Sequence, residues 1–178
     1  MLLLLQVAAA MPLLQEGRFE DARLPLVQAC KKGEANGCYL LGRTLYTLEH
    51  YDAALATLSP LLATDKDPWR VSDAIALVYE GMRRPVEAEK HFQAAIVGRA
   101  PDPRYHYGRF LIREGRAARA AEVLAASTKE FPKHEPTRFE LGRAYYQLGR
   151  YEDAENELAA APSLVEARRL LAKARARR

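Results

Sequence analysis

The stretch LGRAYYQLGRYEDA, residues 141–154, decides the fold, because the chain repeats its pattern four more times. The other copies are YGRFLIREGRAARA (107–120), IALVYEGMRRPVEA (75–88), LGRTLYTLEHYDAA (41–54) and, more loosely, AAMPLLQEGRFEDA (9–22). The alanines that close them, Ala22, Ala54, Ala88, Ala120 and Ala154, stand 32, 34, 32 and 34 residues apart. A period of that length predicts stacked helical hairpins, each buried by its neighbours rather than by a single central core.

The recurring residues have physical reasons to recur. One slot holds only Gly or Ala (Ala10, Gly42, Ala76, Gly108, Gly142). A small residue there lets two helices cross closely. The closing alanine needs smallness for the same reason on the second helix. Four residues later comes a large apolar residue, Leu26, Leu58, Phe92, Leu124 or Leu158, and three further on Ala29, Leu61, Ala95, Ser127 or Ala161. That spacing makes one stripe on a helix. Between the helices stand Gly17-Arg18, Gly115-Arg116 and Gly149-Arg150, and glycine ends a helix well in the left-handed conformation.

This pattern resembles the tetratricopeptide repeat family, whose motif runs Leu-Gly, Tyr, Ala, Phe or Tyr, Ala, Pro. The 141–154 copy matches it through Leu141, Gly142, Tyr145, Ala154 and Ala161, and the 107–120 copy through Gly108, Ala120, Leu124 and Pro132. The resemblance covers nearly the whole chain. It implies an all-α fold, a right-handed superhelical solenoid of stacked antiparallel helix pairs. It also implies one repeat domain over residues 1–178, of about five hairpins and a closing helix at 164–177.

Eleven helices are expected, at about 2–15, 18–31, 36–48, 51–63, 69–81, 85–98, 102–114, 117–130, 135–148, 151–161 and 164–177. Pro85 falls at a helix start, where its missing N–H does no harm. Pro25 and Pro60 fall inside second helices and are expected to bend them, and Pro12 to kink or delay the first helix. No run reaches the ~18 apolar residues of a membrane span. The net charge of +4 is concentrated in residues 165–178, which hold six cations against Glu166. This reads as a solvated closing helix whose cations also suit its C-terminus; nucleic acid is not an expected partner.

The N-terminal MLLLLQVAAAM has two readings. It is the apolar part of a signal peptide, or the first helix of the first repeat, which Ala10 in the small slot favours. Localisation stays open with it: cytoplasmic on the helix reading, periplasmic or secreted on the signal reading. The chain is also readable as beginning in mid-array. Leu2 to Leu5 leave apolar surface on both sides of a terminal helix, so self-association through it is expected.

No sequence motif carries chemistry. There is no phosphate loop, nucleophile elbow or metal-binding His pair, and His50, His91, His106 and His134 lie in different repeats. The acid pairs Glu20-Asp21 and Glu152-Asp153 begin second helices, where they offset the helix dipole. No enzyme activity, cofactor or small-molecule substrate is expected. Cys30 and Cys38 are the covalent candidates. Their segment, ACKKGEANGCYLLG, resembles a related helical-repeat family of cysteine-rich bacterial secreted proteins, in which cysteines at this spacing join adjacent helices. The other reading is two small buried hydrophobes in a reducing compartment.

In the tetratricopeptide family, first helices line the concave face. The corresponding slots hold Tyr39, Asp73, Tyr105 and Phe139, then Arg43, Leu77, Arg109 and Arg143, with Tyr46, Ile112, Arg113, Tyr146 and Gln147 further along and Arg169 and Lys173 on the closing helix. In three copies an aromatic precedes arginine by four residues, hence on one helical face. The resemblance thus implies a basic, aromatic-edged groove for a protein or acidic peptide. The family's clamp for chaperone tails uses asparagines and lysines in these slots, and arginine or leucine here argues against that ligand. The expected function is a non-catalytic interaction scaffold. The alternative is an accessory segment that positions a larger enzyme or secretion complex.

Overall fold

The structure is a computed structural model that describes residues 5–177. Leu2, Leu3 and Leu4, on which the self-association expectation leans, lie outside the described residues, as does the side chain of Leu5. Among the described residues the fold is all-α, with no strand. Two compact units divide it, one up to Gly98 and one from Arg99.

The first unit contains α1 (Leu5–Gln15), α2 (Phe19–Lys31), α3 (Ala35–Thr47), α4 (Tyr51–Leu58), α5 (Pro68–Gly81) and α6 (Pro85–Ala95). The second contains α7 (Pro101–Arg113), α8 (Ala117–Glu130), α9 (Glu135–Gln147), α10 (Tyr151–Ala159) and α11 (Val165–Arg175). Within each unit every helix packs on the next in order. In the second, α7 and α9 also pack on each other, as do α9 and α11.

The small slot meets the large slot sixteen residues on. A Cβ built on Gly42 would stand 2.4 Å from Cγ of Leu58, one on Gly108 2.4 Å from Leu124, and one on Gly142 2.6 Å from Leu158. Ala10, Leu26, Ala76 and Phe92, the equivalents in the other two hairpins, are all fully buried. The five crossings are therefore one packing solution used repeatedly, and their large members, Leu26, Leu58, Phe92, Leu124 and Leu158, are all among the largest fully buried side chains.

The turn inside each hairpin also repeats. Gly17, Glu49, Arg83, Gly115 and Gly149 all have positive φ, between 57° and 74°. The next residue donates its N–H back across the helix end, as Arg150 does to the Tyr145 carbonyl at 2.9 Å and His50 to Leu45 at 2.9 Å. This is the reverse-turned helix stop that glycine favours. Two copies make it without glycine, at Glu49 and Arg83, where a Cβ crowds the neighbouring carbonyl. The arginine after the turn then binds the acid three residues on: Arg18 to Asp21 at 2.8 Å and Arg150 to Asp153 at 2.7 Å. The recurrent acids thus hold the turn as well as opening the second helix.

Prolines act unequally. Pro12 and Pro25 sit inside α1 and α2 without ending them, so the helix runs on through Pro12 rather than starting after it. The single helix expected at 51–63 is instead α4 followed by a 3₁₀ turn, Ser59–Ala63. Pro60 lacks the N–H that would continue the α ladder.

Cys30 at the end of α2 and Cys38 in α3 come together across the turn, with Cα atoms 4.4 Å apart and the sulfurs at bonding distance. Gly37 makes this approach possible, since a Cβ there would stand 2.6 Å from that of Ala29. No helix among the described residues is long and apolar enough to cross a membrane.

Candidate functional site

First helices carry the expected residues, and their local geometry recurs. On α3 the Arg43 guanidinium lies 5.8 Å from the centre of the Tyr39 ring; on α7 Arg109 lies 5.6 Å from Tyr105; on α9 Arg143 lies 5.8 Å from Phe139. A four-residue step on a helix brings each pair together, and the ring face attracts the cation. The repeat therefore sets out the same cation-on-aromatic unit three times.

The surroundings of the three units differ. In the first unit of the fold, Tyr39 is half-buried against the core and also lies under Arg70, whose guanidinium is 4.6 Å from its ring. Burial pushes the Tyr39 phenol up. Arg70 is held in turn by two hydrogen bonds to buried Asp65, at 3.1 and 2.7 Å. Those bonds hold the Asp65 carboxyl below its ordinary value. Tyr46 is half-buried, 6.2 Å from the Tyr51 ring. Arg43 is exposed and borders a cleft of about 230 Å³ with Leu14, Phe19 and Leu40. On α5 the equivalent positions, Asp73 and Leu77, are buried.

In the second unit, the Tyr105 ring centre lies 5.1 Å from that of His106 and 6.1 Å from that of His134. Arg113 is exposed at the end of α7, whereas Ile112 beside it is buried. Six of the expected residues converge on a cleft of about 390 Å³, of which Phe139, Arg143, Tyr146 and Gln147 line one wall. Glu166, Arg169, Leu170 and Lys173 of α11 line the other. These four stand at i, i+3, i+4 and i+7, so they form one face of α11.

Glu140 is the feature that sequence reasoning missed. It is only 3% exposed, and Nη1 of Arg143 lies 2.8 Å from its carboxylate. Burial pushes the Glu140 carboxyl up, opposed by the charges of Arg143, Arg109 and Arg113. The acid three residues before an arginine reads in sequence as an ordinary surface pair; only the packing shows it to be internal. No group of three or more metal-binding side chains is assembled among the described residues.

No curated protein matches the chain. Several solved structures share the fold. The thermophilic TPR protein TTC0263 of Thermus thermophilus is 19% identical, with a TM-score of 0.77 over 97% of this chain and 98% of that one. Pseudomonas aeruginosa pilF is 19% identical, with a TM-score of 0.76 over 89% and 74%. YrrB, described as a TPR protein with an unusual peptide-binding site, is 21% identical, with a TM-score of 0.64 over 93% and 89%. Tetratricopeptide repeat profiles match residues 39–104 and 74–135, and another matches 111–178. That fold serves in general as a scaffold for protein–protein interaction. With these matches and five copies of one helix crossing, the chain belongs to the tetratricopeptide repeat family.

Proposed function

We propose that the protein is a non-catalytic scaffold, working as one repeat domain, that holds an acidic peptide segment of a partner protein against α7 and α9. The arginine-on-aromatic unit carries this reading. Tyr105 with Arg109 and Phe139 with Arg143 present fixed guanidinium groups beside apolar ring edges. A guanidinium fork matches a carboxylate in shape and charge, and a ring beside it excludes water and strengthens the attraction. The peptide-binding description of YrrB, on the same fold, agrees with such a role.

Paired substitutions test it. Arg109→Ala with Arg143→Ala removes two charges from the first helices, and Arg116→Ala with Arg150→Ala removes two from the turns. The first pair is expected to weaken a glutamate-rich peptide at least tenfold in fluorescence anisotropy, and the second to have little effect. Equal losses would mean nonspecific attraction and would sink the reading. Circular dichroism checks that both variants stay folded.

A further inference from the structure

The cations of α11 fall into two kinds. Arg168 donates to the carbonyl of Pro162 at 2.6 Å, and Arg175 to Glu155 at 2.8 Å. Both tie the closing helix to the hairpin before it. Arg169 and Lys173 do neither. They are exposed, they stand four residues apart on the face that walls the 390 Å³ cleft, and neither has an ion-pair partner among the described residues. Like charges at that spacing repel and lower helix stability. The opposite wall holds Arg143, whose Nη1 meets the carboxylate of buried Glu140. The floor is apolar, made by the half-buried Phe139, Tyr146 and Leu170. The cleft lies within the range of about 300–1,000 Å³ that accommodates compact ligand groups.

From this we infer that the α9–α11 cleft is an anchor subsite for one large apolar side chain of the partner segment, with Arg169 and Lys173 meeting a carboxylate beside it. The inference rests on the acidic-peptide reading and adds to it. Arg109 and Arg143 favour acidic segments in general, whereas α11 selects those in which an aromatic or long aliphatic residue adjoins an acid. An unbound apolar floor gains by losing its water, and the flanking cations give the insertion its register. The surplus cations of α11 thereby acquire a function that a purely solvating end helix would not require.

Two glutamate-rich peptides, identical except for a central Phe or Ser, distinguish the claims. The Phe peptide is expected to bind the wild-type protein about tenfold more tightly. The advantage should disappear in Leu170→Gln and fall sharply in the double variant Arg169→Glu, Lys173→Glu. That charge-reversed protein should instead accept the Phe peptide rebuilt with lysines in place of glutamates, a gain that misfolding does not imitate. Equal binding of the Phe and Ser peptides, with both still dependent on Arg109 and Arg143, would overturn the subsite and leave the acidic-peptide reading standing. An uncharged Phe peptide binding as well as the acidic one would also overturn it, as a purely apolar site. If no acidic peptide binds, both readings fall.

Discussion

Replacing Gly142 by Val tests the crossing on which the fold depends. The first atom added, Cβ, would stand 2.6 Å from Cγ and 2.8 Å from Cδ2 of Leu158, and 3.3 Å from the carbonyl oxygen of Ala154. Carbon atoms in comfortable contact are about 3.5–4.0 Å apart. Cγ is fixed by the first side-chain torsion, so Leu158 cannot relieve the clash by swinging its tip, and the backbone oxygen cannot move without α10. The overpacking is expected to cost about 1–3 kcal/mol. A gain of a few tenths from replacing a helical glycine offsets little of this. Leu158→Ala alone creates a cavity at a site 1% exposed and should cost about 2–5 kcal/mol. In the double variant the valine methyls enter the space that the leucine leaves. Its loss should fall short of the sum of the two by about 0.5–3 kcal/mol. Gly149→Ala is the control: nothing lies within 4 Å of its added Cβ, so it should lose stability through its positive φ alone and show no coupling to Leu158. Urea unfolding followed by circular dichroism gives all the free energies. Strict additivity of Gly142→Val and Leu158→Ala, or an unchanged midpoint for Gly142→Val, would refute the crossing.

Further outcomes follow from other parts of the structure. Glu49→Gly and Arg83→Gly relieve the two positive-φ residues that are not glycine, and each should raise the unfolding free energy by up to about 1 kcal/mol; a loss would mean that another interaction holds the turn. Arg70→Ala strands the buried Asp65 carboxylate and should cost about 3–5 kcal/mol at neutral pH. Because Arg70 holds the Asp65 carboxyl below its ordinary value of 3.8, the pair's contribution is present above that value and fades as pH falls through the lower folded value. Wild type and Arg70→Ala should therefore converge in strong acid, and a gap that persists there would contradict the assignment. Cys30→Ser should cost about 2–3 kcal/mol without reductant, as expected for opening so short a loop, and much less with it. Alkylation followed by mass measurement, before and after reduction, reports whether the two thiols are joined.

Periodicity made the fold legible because it states one physical constraint five times. Gly42, Gly108 and Gly142 must be small because Leu58, Leu124 and Leu158 are large, sixteen residues away and packed against them. Proline was less legible. Pro12, Pro25 and Pro60 look alike in sequence, yet only Pro60 converts its helix to a 3₁₀ turn, because the outcome depends on how neighbouring packing compensates the lost hydrogen bond. The site divides along the same line. The pairs Tyr39–Arg43, Tyr105–Arg109 and Phe139–Arg143 lie within single helices, so a four-residue step was enough to find them. The closing helix is expected from sequence to add Arg169 and Lys173, and both line the α9–α11 cleft; the burial of Glu140 becomes visible only once α9 has neighbours. Composition alone marks the final helix as basic; the family's slots single out Arg169 and Lys173, and the structure adds that Arg168 and Arg175 bind the protein itself, whereas Arg169 and Lys173 have no ion-pair partner among the described residues. On the proposed reading, recognition depends on that distinction. A cation already satisfied inside the fold supplies stability and little selectivity, whereas one held at the rim of an apolar cleft without a partner supplies selectivity at some expense of stability. The repeat pattern identifies which residues share a face; packing determines which charges on that face the fold itself uses.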